Sequence, residues 1–182
     1  MARTIVGIDP SLTGTAVVID GKATMFKSKP HEPTVRARLT RIQELALAVT
    51  NFVSPRPDMA IFIEGYSLTA NPTGATTLCE YGGLLRLYLL TEGSAMYEVP
   101  PSSLKKFATG KGNSKKDLVA AHIAKRYGVM FDTNDAYDAY GLYRFGLVAM
   151  GMEDPANQAQ LEAVQAVMNP KPKAPKKSRR AK

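Results

Sequence analysis

The chain has 182 residues, of which 45% are hydrophobic, with a net charge of +8 and a single cysteine. That suffices for one domain with a sizeable core and argues against wholesale disorder. Cys79 alone excludes an internal disulfide framework and a cysteine-built zinc site. No apolar run reaches the ~18 residues of a membrane span, and GGLLRLYLL is interrupted by Arg86.

The N-terminus MARTIVGIDP enters a strand-like run at once, without a signal-peptide pattern, so a cytoplasmic, reducing location is expected. RTIVGID (3–9) is short, β-branched and nearly continuously apolar, as a buried strand should be. PSLTG turns the chain into a second strand, TAVVID (15–20). Gly21 and Lys22 then break it before a third, ATMFKS (23–28). Apolar residues at 35, 39, 42, 45, 46, 49, 52 and 53 predict a helix, with Arg36, Arg38 and Arg41 on its other face. MAIFIEG (59–65) is another buried-type strand ending in an acid.

A long helix follows over about 75–91, with Gly82–Gly83 a weak or close-packed point, and AMYEVP (95–100) gives a fifth strand. PSSLKKFATGKGNSKK reads as a basic connector around a short helical turn. Ser114 and Asp117 form a capping-box-like start to a helix reaching Tyr127, which Gly128 ends. Thr133 or Asn134 caps the next helix, and a last one covers 156–168. The order implies an α/β fold: a five-stranded mixed sheet, its opening strands antiparallel and its later ones parallel, flanked by helices.

The charge is unevenly placed. Of the 24 Lys and Arg, 7 lie in the last 12 residues, leaving 17 basic against 16 acidic residues before them. Pro170, Pro172 and Pro175 prevent a regular helix there. The expected organisation is a domain over 1–168 and a basic disordered tail over 169–182, of a kind that binds phosphate backbones.

Four acids sit where charge is costly. Asp9 and Glu64 end buried apolar strands, and Asp135 and Asp138 lie on one face at the start of a helix. If the two strands are parallel neighbours and that helix covers their ends, all four carboxylates meet. Without a cation they would repel and raise one another's pKa values. Hard divalent ions relieve this, and a pair of them activates water against a phosphodiester.

IVGIDPSLTGTAVV, IFIEGY, VPPSSLKKFATGKGNSKKDLV and NDAYDAYGLYRFG resemble, in order and nearly in spacing, the motifs of RuvC-type Holliday junction resolvases, over roughly residues 3–150. The resemblance implies a ribonuclease H-like fold and a homodimer with two active sites. It implies two Mg²⁺ ions per site (Mn²⁺ as substitute) and incision of branched DNA: four-way junctions, and Y-forks and flaps if the broader behaviour of viral relatives applies. Carried over by motif, the catalytic metal ligands are Asp9, Glu64, Asp135 and Asp138, with Asp9 bridging. Tyr66 is the nearest match to the aromatic that the family uses on bases at the crossover, one position off the pattern. Ser11 stands where the family commonly has glycine. Lys105, Lys106, Lys111, Lys115 and Lys116 gather where the family contacts DNA backbone, and Lys176, Lys177, Arg179 and Arg180 of the tail extend the DNA-binding set.

Other readings compete. A sugar-kinase or actin-like ATPase needs a second domain and a further nucleotide loop, for which the chain has no room. A proofreading exonuclease wants an acid at Ser11. A YqgF-like RNA-processing nuclease shares the carboxylate logic. A non-catalytic branched-DNA-binding module explains the tail but not four acids at element ends. His122 is read as a packing or surface residue, and His31 as a loop residue.

Overall fold

In the computed structural model, residues 3–29, 32–66 and 72–170 are described. The chain order is β1 (Thr4–Asp9), β2 (Thr15–Ile19), β3 (Lys22–Phe26), α1 (Val35–Val53), β4 (Met59–Glu64), α2 (Pro72–Leu90), β5 (Ala95–Val99), α3 (Pro101–Thr109), α4 (Lys116–Tyr127), α5 (Asn134–Ala149) and α6 (Gln158–Met168). The sheet runs β3-β2-β1-β4-β5. β2 is antiparallel to β1 and β3, whereas β4 is parallel to β1 and to β5.

β1 is central because its residues are buried on both faces, as expected of a strand with helices on either side. Val6 and Ile8 point into a core shared with α1 and α2, through residues such as Ile42, Leu45, Tyr81 and Leu85. The alternate residues face the other layer, where Ile5 packs with Phe62, Leu142 and Phe145. Because side chains alternate with period 2, Gly7 and Asp9 share the Ile5 face, and Glu64 shares the Phe62 face. α5 lies directly on that side of the sheet. A Cβ at Gly7 would stand 2.2 Å from the Ala139 carbonyl oxygen and 2.5 Å from Tyr143 N. At Gly146 it would stand 2.5 Å from Ile5 Cγ2 and from Phe62 Cδ2. Strand and helix thus touch backbone to backbone.

The predicted elements are present, with three differences. The connector after β5 is not a single turn but a nine-residue helix, α3. Pro101 occupies its first turn, where a fixed φ favours a helix start, and Leu104, Phe107 and Ala108 bury one face. α4 starts at Lys116, and Ser114 does not cap it. The Ser114 hydroxyl instead lies 2.8 Å from that of Thr109 and donates to the Lys111 carbonyl at 3.0 Å, closing the α3–α4 loop. α2 also begins three residues earlier than expected, at Pro72. Elsewhere local chemistry decides the ends as predicted. Thr133 caps α5 by accepting from Ala136 N at 3.2 Å, and Gly128 ends α4 at φ 66°.

Gly7→Ala is expected to force α5 off β1, since a backbone oxygen cannot move aside as a side chain would. The expected loss of stability in urea denaturation is about 1–3 kcal/mol or more.

Candidate active site

The ladder between β1 and β4 determines where the first two carboxylates stand. Ile8 pairs with Ile63, and the same offset brings Glu64 level with Asp9 at the carboxyl ends of the parallel pair. Both are on the face covered by α5, whose first turns supply Asp135 and Asp138. Asp9 and Asp138 are buried, at 4% and 6% exposed, while Glu64 and Asp135 are half-buried. All four line one pocket, together with Lys105 and Lys116.

The turn after Asp9 is fixed from α2. The Thr15 hydroxyl donates to the Ser11 carbonyl at 2.7 Å and accepts from Ser11 N at 3.2 Å. Its proton being used, the buried Tyr81 hydroxyl donates to it at 2.7 Å. Ser11 is therefore accommodated by a threonine hub in place of the family glycine. Arg41 holds the same turn from α1, donating to the Leu12 carbonyl at 2.9 Å and to Ser28 Oγ at 2.9 Å.

The cluster is electrostatically frustrated. Asp9 is raised well above the ordinary aspartate range, by burial first and then by the charges of Glu64, Asp138 and Asp135. Asp138 is raised to about 6, again chiefly by burial and then by Glu64. Glu64 is raised by burial, against a hydrogen bond with Asp9 that lowers it. Lys116 supplies a counter-charge, its Nζ 3.6 Å from Asp138 Oδ2 and 3.8 Å from Asp135 Oδ1. Burial lowers the Lys116 pKa, but the four carboxylates together outweigh that and raise it. One ammonium cannot balance four acids, and Asp9, Asp138 and Glu64 are all pushed up from their ordinary range.

Hard oxygen donors on rigid elements, with unbalanced negative charge, fit divalent cations. Among the described residues no three His, Cys, Asp or Glu side chains are already drawn around one point. The carboxylates line the pocket wall, and Lys116 reaches in among them.

The family model described as crossover junction endodeoxyribonuclease RuvC matches residues 5–141. The chain belongs to the RuvC family. It is 30% identical over 154 residues to the RuvC crossover junction endodeoxyribonuclease of Neorickettsia sennetsu, covering 78% of this chain and 91% of that one. It is 24% identical over 152 residues to the enzyme of Chlamydia muridarum, covering 78% and 89%. A solved Thermus thermophilus RuvC structure matches with TM-score 0.57 at 19% identity, over 92% of this chain and 97% of that one. T. thermophilus RuvC in complex with Holliday junction substrate matches with TM-score 0.57 at 21% identity, over 78% and 90%. The fold is thus the ribonuclease H-like one expected, and the chain is a crossover-junction endodeoxyribonuclease. RuvC membership carries dependence on a divalent metal ion.

The structure sorts the other residues expected at a RuvC site. Lys105 and Lys116 line the pocket, while Lys106 turns away to pair with Glu162 at 2.6 Å. Lys111 and Lys115 are exposed beside it in sequence but outside its lining. Tyr66 borders an adjoining small cleft that also includes Glu64 and Pro10. Lys176, Lys177, Arg179, Arg180 and His31 lie outside the described residues. His122 carries no site contact among the described residues. No described helix is long and apolar enough to cross a membrane. Sequence reasoning does not single out Thr15 or Tyr81, and it places Arg41 only on the outer face of α1, whereas the fold turns it to the Leu12 carbonyl; Arg86 leaves a signal, as a charge inside an apolar helical run.

Between the unfolded aspartate pKa of about 3.9 and the raised folded values, the folded protein binds more protons than the unfolded chain, so stability falls as pH rises. Metal-stripped protein should therefore melt higher at about pH 5 than at about pH 7.5, and Mg²⁺ or Mn²⁺ should restore the loss. Asp9→Asn should raise the metal-free melting temperature at the higher pH and flatten this dependence.

Proposed function

We propose that the chain resolves Holliday junctions, as a homodimer, by metal-dependent hydrolysis of one phosphodiester at each of two sites. The observation that carries this is the convergence of Asp9, Glu64, Asp135 and Asp138 in one pocket of a RuvC-family fold. T. thermophilus RuvC, with the same fold, has been solved with a Holliday junction substrate.

The four carboxylates would hold two Mg²⁺ ions, for which Mn²⁺ would substitute, with Asp9 as the ligand common to both, since it ends β1 beside β4 and under α5. Bound, such ions lower the pKa of a water and offset charge on the cleaved phosphodiester. The chain's own part is alignment. Asp9 and Glu64 are carried by adjacent strands, and Asp135 and Asp138 by a helix seated on them, so the donors vary little in relative position. Lys116, now beside Asp135 and Asp138, would be free to meet the scissile phosphate with the carboxylates holding metal, and Lys105 borders the same pocket. Tyr66 and the exposed Lys111 and Lys115 extend the DNA-facing surface, with Lys106 at its edge. Cleavage leaves 5′-phosphate and 3′-hydroxyl ends.

Pairing of two copies matches the symmetry of a four-way junction. Leu87 and Leu90 stand exposed at 60% and 48% on α2 and offer an apolar surface for it. The nuclease domain spans 1–168, and 169–182 form an arm whose Lys176, Lys177, Arg179 and Arg180 bind phosphate without reading sequence.

The test is Mg²⁺-dependent cutting of matched four-way, Y-shaped, duplex and single-stranded DNAs. Paired symmetric nicks confined to the four-way junction are expected, and their loss in Asp9→Asn with binding retained. Cutting of Y-forks and flaps as well would make the enzyme a general debranching nuclease, and no cutting of any DNA would overturn the proposal. Lys116→Ala should cut more slowly by about 10²-fold or more, with binding little changed. Removing residues 170–182 should weaken junction binding and reduce the slope of log affinity against log salt by about 0.9 for each phosphate that the arm no longer neutralises.

A further inference from the structure

We infer that Arg86 is a positioning residue for this centre: its guanidinium, wedged between α2, β4 and β5, sets where Glu64 stands and fixes the Tyr66 ring at the rim. The inference rests on the metal-centre reading above and goes beyond it, since Arg86 contributes no atom to the pocket wall that holds the four carboxylates.

The side chain of Arg86 is only 12% exposed. Its neighbours on the helix, such as Leu85 and Leu89, are fully buried apolar residues. Packing alone would be served by another leucine at lower desolvation cost. Instead the guanidinium directs its donors to three different elements. Nη2 donates to the Glu64 carbonyl at 2.9 Å, Nη1 to the Gly82 carbonyl at 3.0 Å, and Nε to Glu98 Oε1 at 2.6 Å. Its carbon lies 4.3 Å from the centroid of the Tyr66 ring.

The bond to Glu64 falls where strand pairing runs out. The ladder from β4 to β1 ends at Ile8 and Ile63, one residue short of Asp9 and Glu64. On the other side Glu64 pairs with Val99, and Gly65 N donates to the Val99 carbonyl at 2.9 Å. The last residue of β4 is therefore tied to β5 and to Arg86, and Arg86 is tied to β5 through Glu98. A planar fork of donors can span such a frame, whereas a lysine ammonium, as a point charge, cannot reach all its corners.

The stack on Tyr66 exists because residue 82 has no side chain. A Cβ there would stand 2.7 Å from Tyr66 Cε1 and 2.8 Å from Arg86 Nη1. The small cleft beside the main pocket has Arg86, Tyr66, Glu64 and Pro10 among its walls, so movement of Arg86 is felt by both rim and ligand.

Two readouts test this in the full chain: Mn²⁺ binding to DNA-free protein, followed by electron paramagnetic resonance, and the metal concentration needed for junction cutting. Arg86→Ala should weaken Mn²⁺ binding and raise the metal requirement by about 10- to 100-fold, the usual effect of removing a group that orients a ligand. Arg86→Lys should recover part of that loss, and Glu98→Ala should shift both readouts in the same direction by less. A lower melting temperature with wild-type Mn²⁺ affinity in Arg86→Ala would make Arg86 a scaffold residue only and overturn the inference. Should Arg86→Ala not fold, unaltered Mn²⁺ affinity in Glu98→Ala and Arg86→Lys would overturn it equally. Wild-type protein that binds no Mn²⁺ would overturn the metal-centre reading as well, which separates that failure from this one.

Discussion

Backbone contact between β1 and α5 is the constraint on which the rest of this structure depends. A Cβ at Gly7 would fall 2.2 Å from the Ala139 carbonyl oxygen, so the contact could not exist with a side chain there. The helix would then ride on a layer of side chains at an ordinary helix–sheet spacing. Gly146 repeats the device farther along, against Ile5 and Phe62. Seating the helix this low brings Asp135 and Asp138 to the level of the strand ends. Asp9 could otherwise meet Glu64 but not the second pair.

The close approach has an electrostatic consequence. Asp9 and Asp138 lose solvent as well as gaining like-charged neighbours, and both hold protons more tightly than free aspartate. A site built this way is destabilising until cations enter, and Lys116 only partly offsets the repulsion. Under the metal-centre proposal, the geometry that is unfavourable without cations is the one that would favour them.

α2 supplies the alignment. Tyr81 locks the turn that follows Asp9 through Thr15, and Arg86 holds the carbonyl of Glu64. One helix thus clamps both strand ends from the face opposite α5. α1 adds Arg41 on the same turn, which gives a helix otherwise used for packing a share in shaping the site.

The sequence by itself determined the element types, because each strand and most helices of this chain advertise their period. It also disclosed the four acids, since Asp9 and Glu64 end apolar runs and Asp135 and Asp138 share a helix face. The start of α4 is legible to within a residue but its cap is not, because the Ser114 hydroxyl turns to the α3–α4 loop, a choice made by a residue in another helix. α3 resembles a mere turn in sequence because a nine-residue helix has little periodicity to detect. Which lysines face the pocket is equally a matter for the fold. Lys106 is drawn to Glu162 on α6, while Lys116 reaches the carboxylates, and nothing local distinguishes them. Gly7 looks like any glycine in a strand. Only the tertiary structure showed that its missing side chain lets α5 approach and so makes four separate acids into one site, because that contact spans residues far apart in sequence.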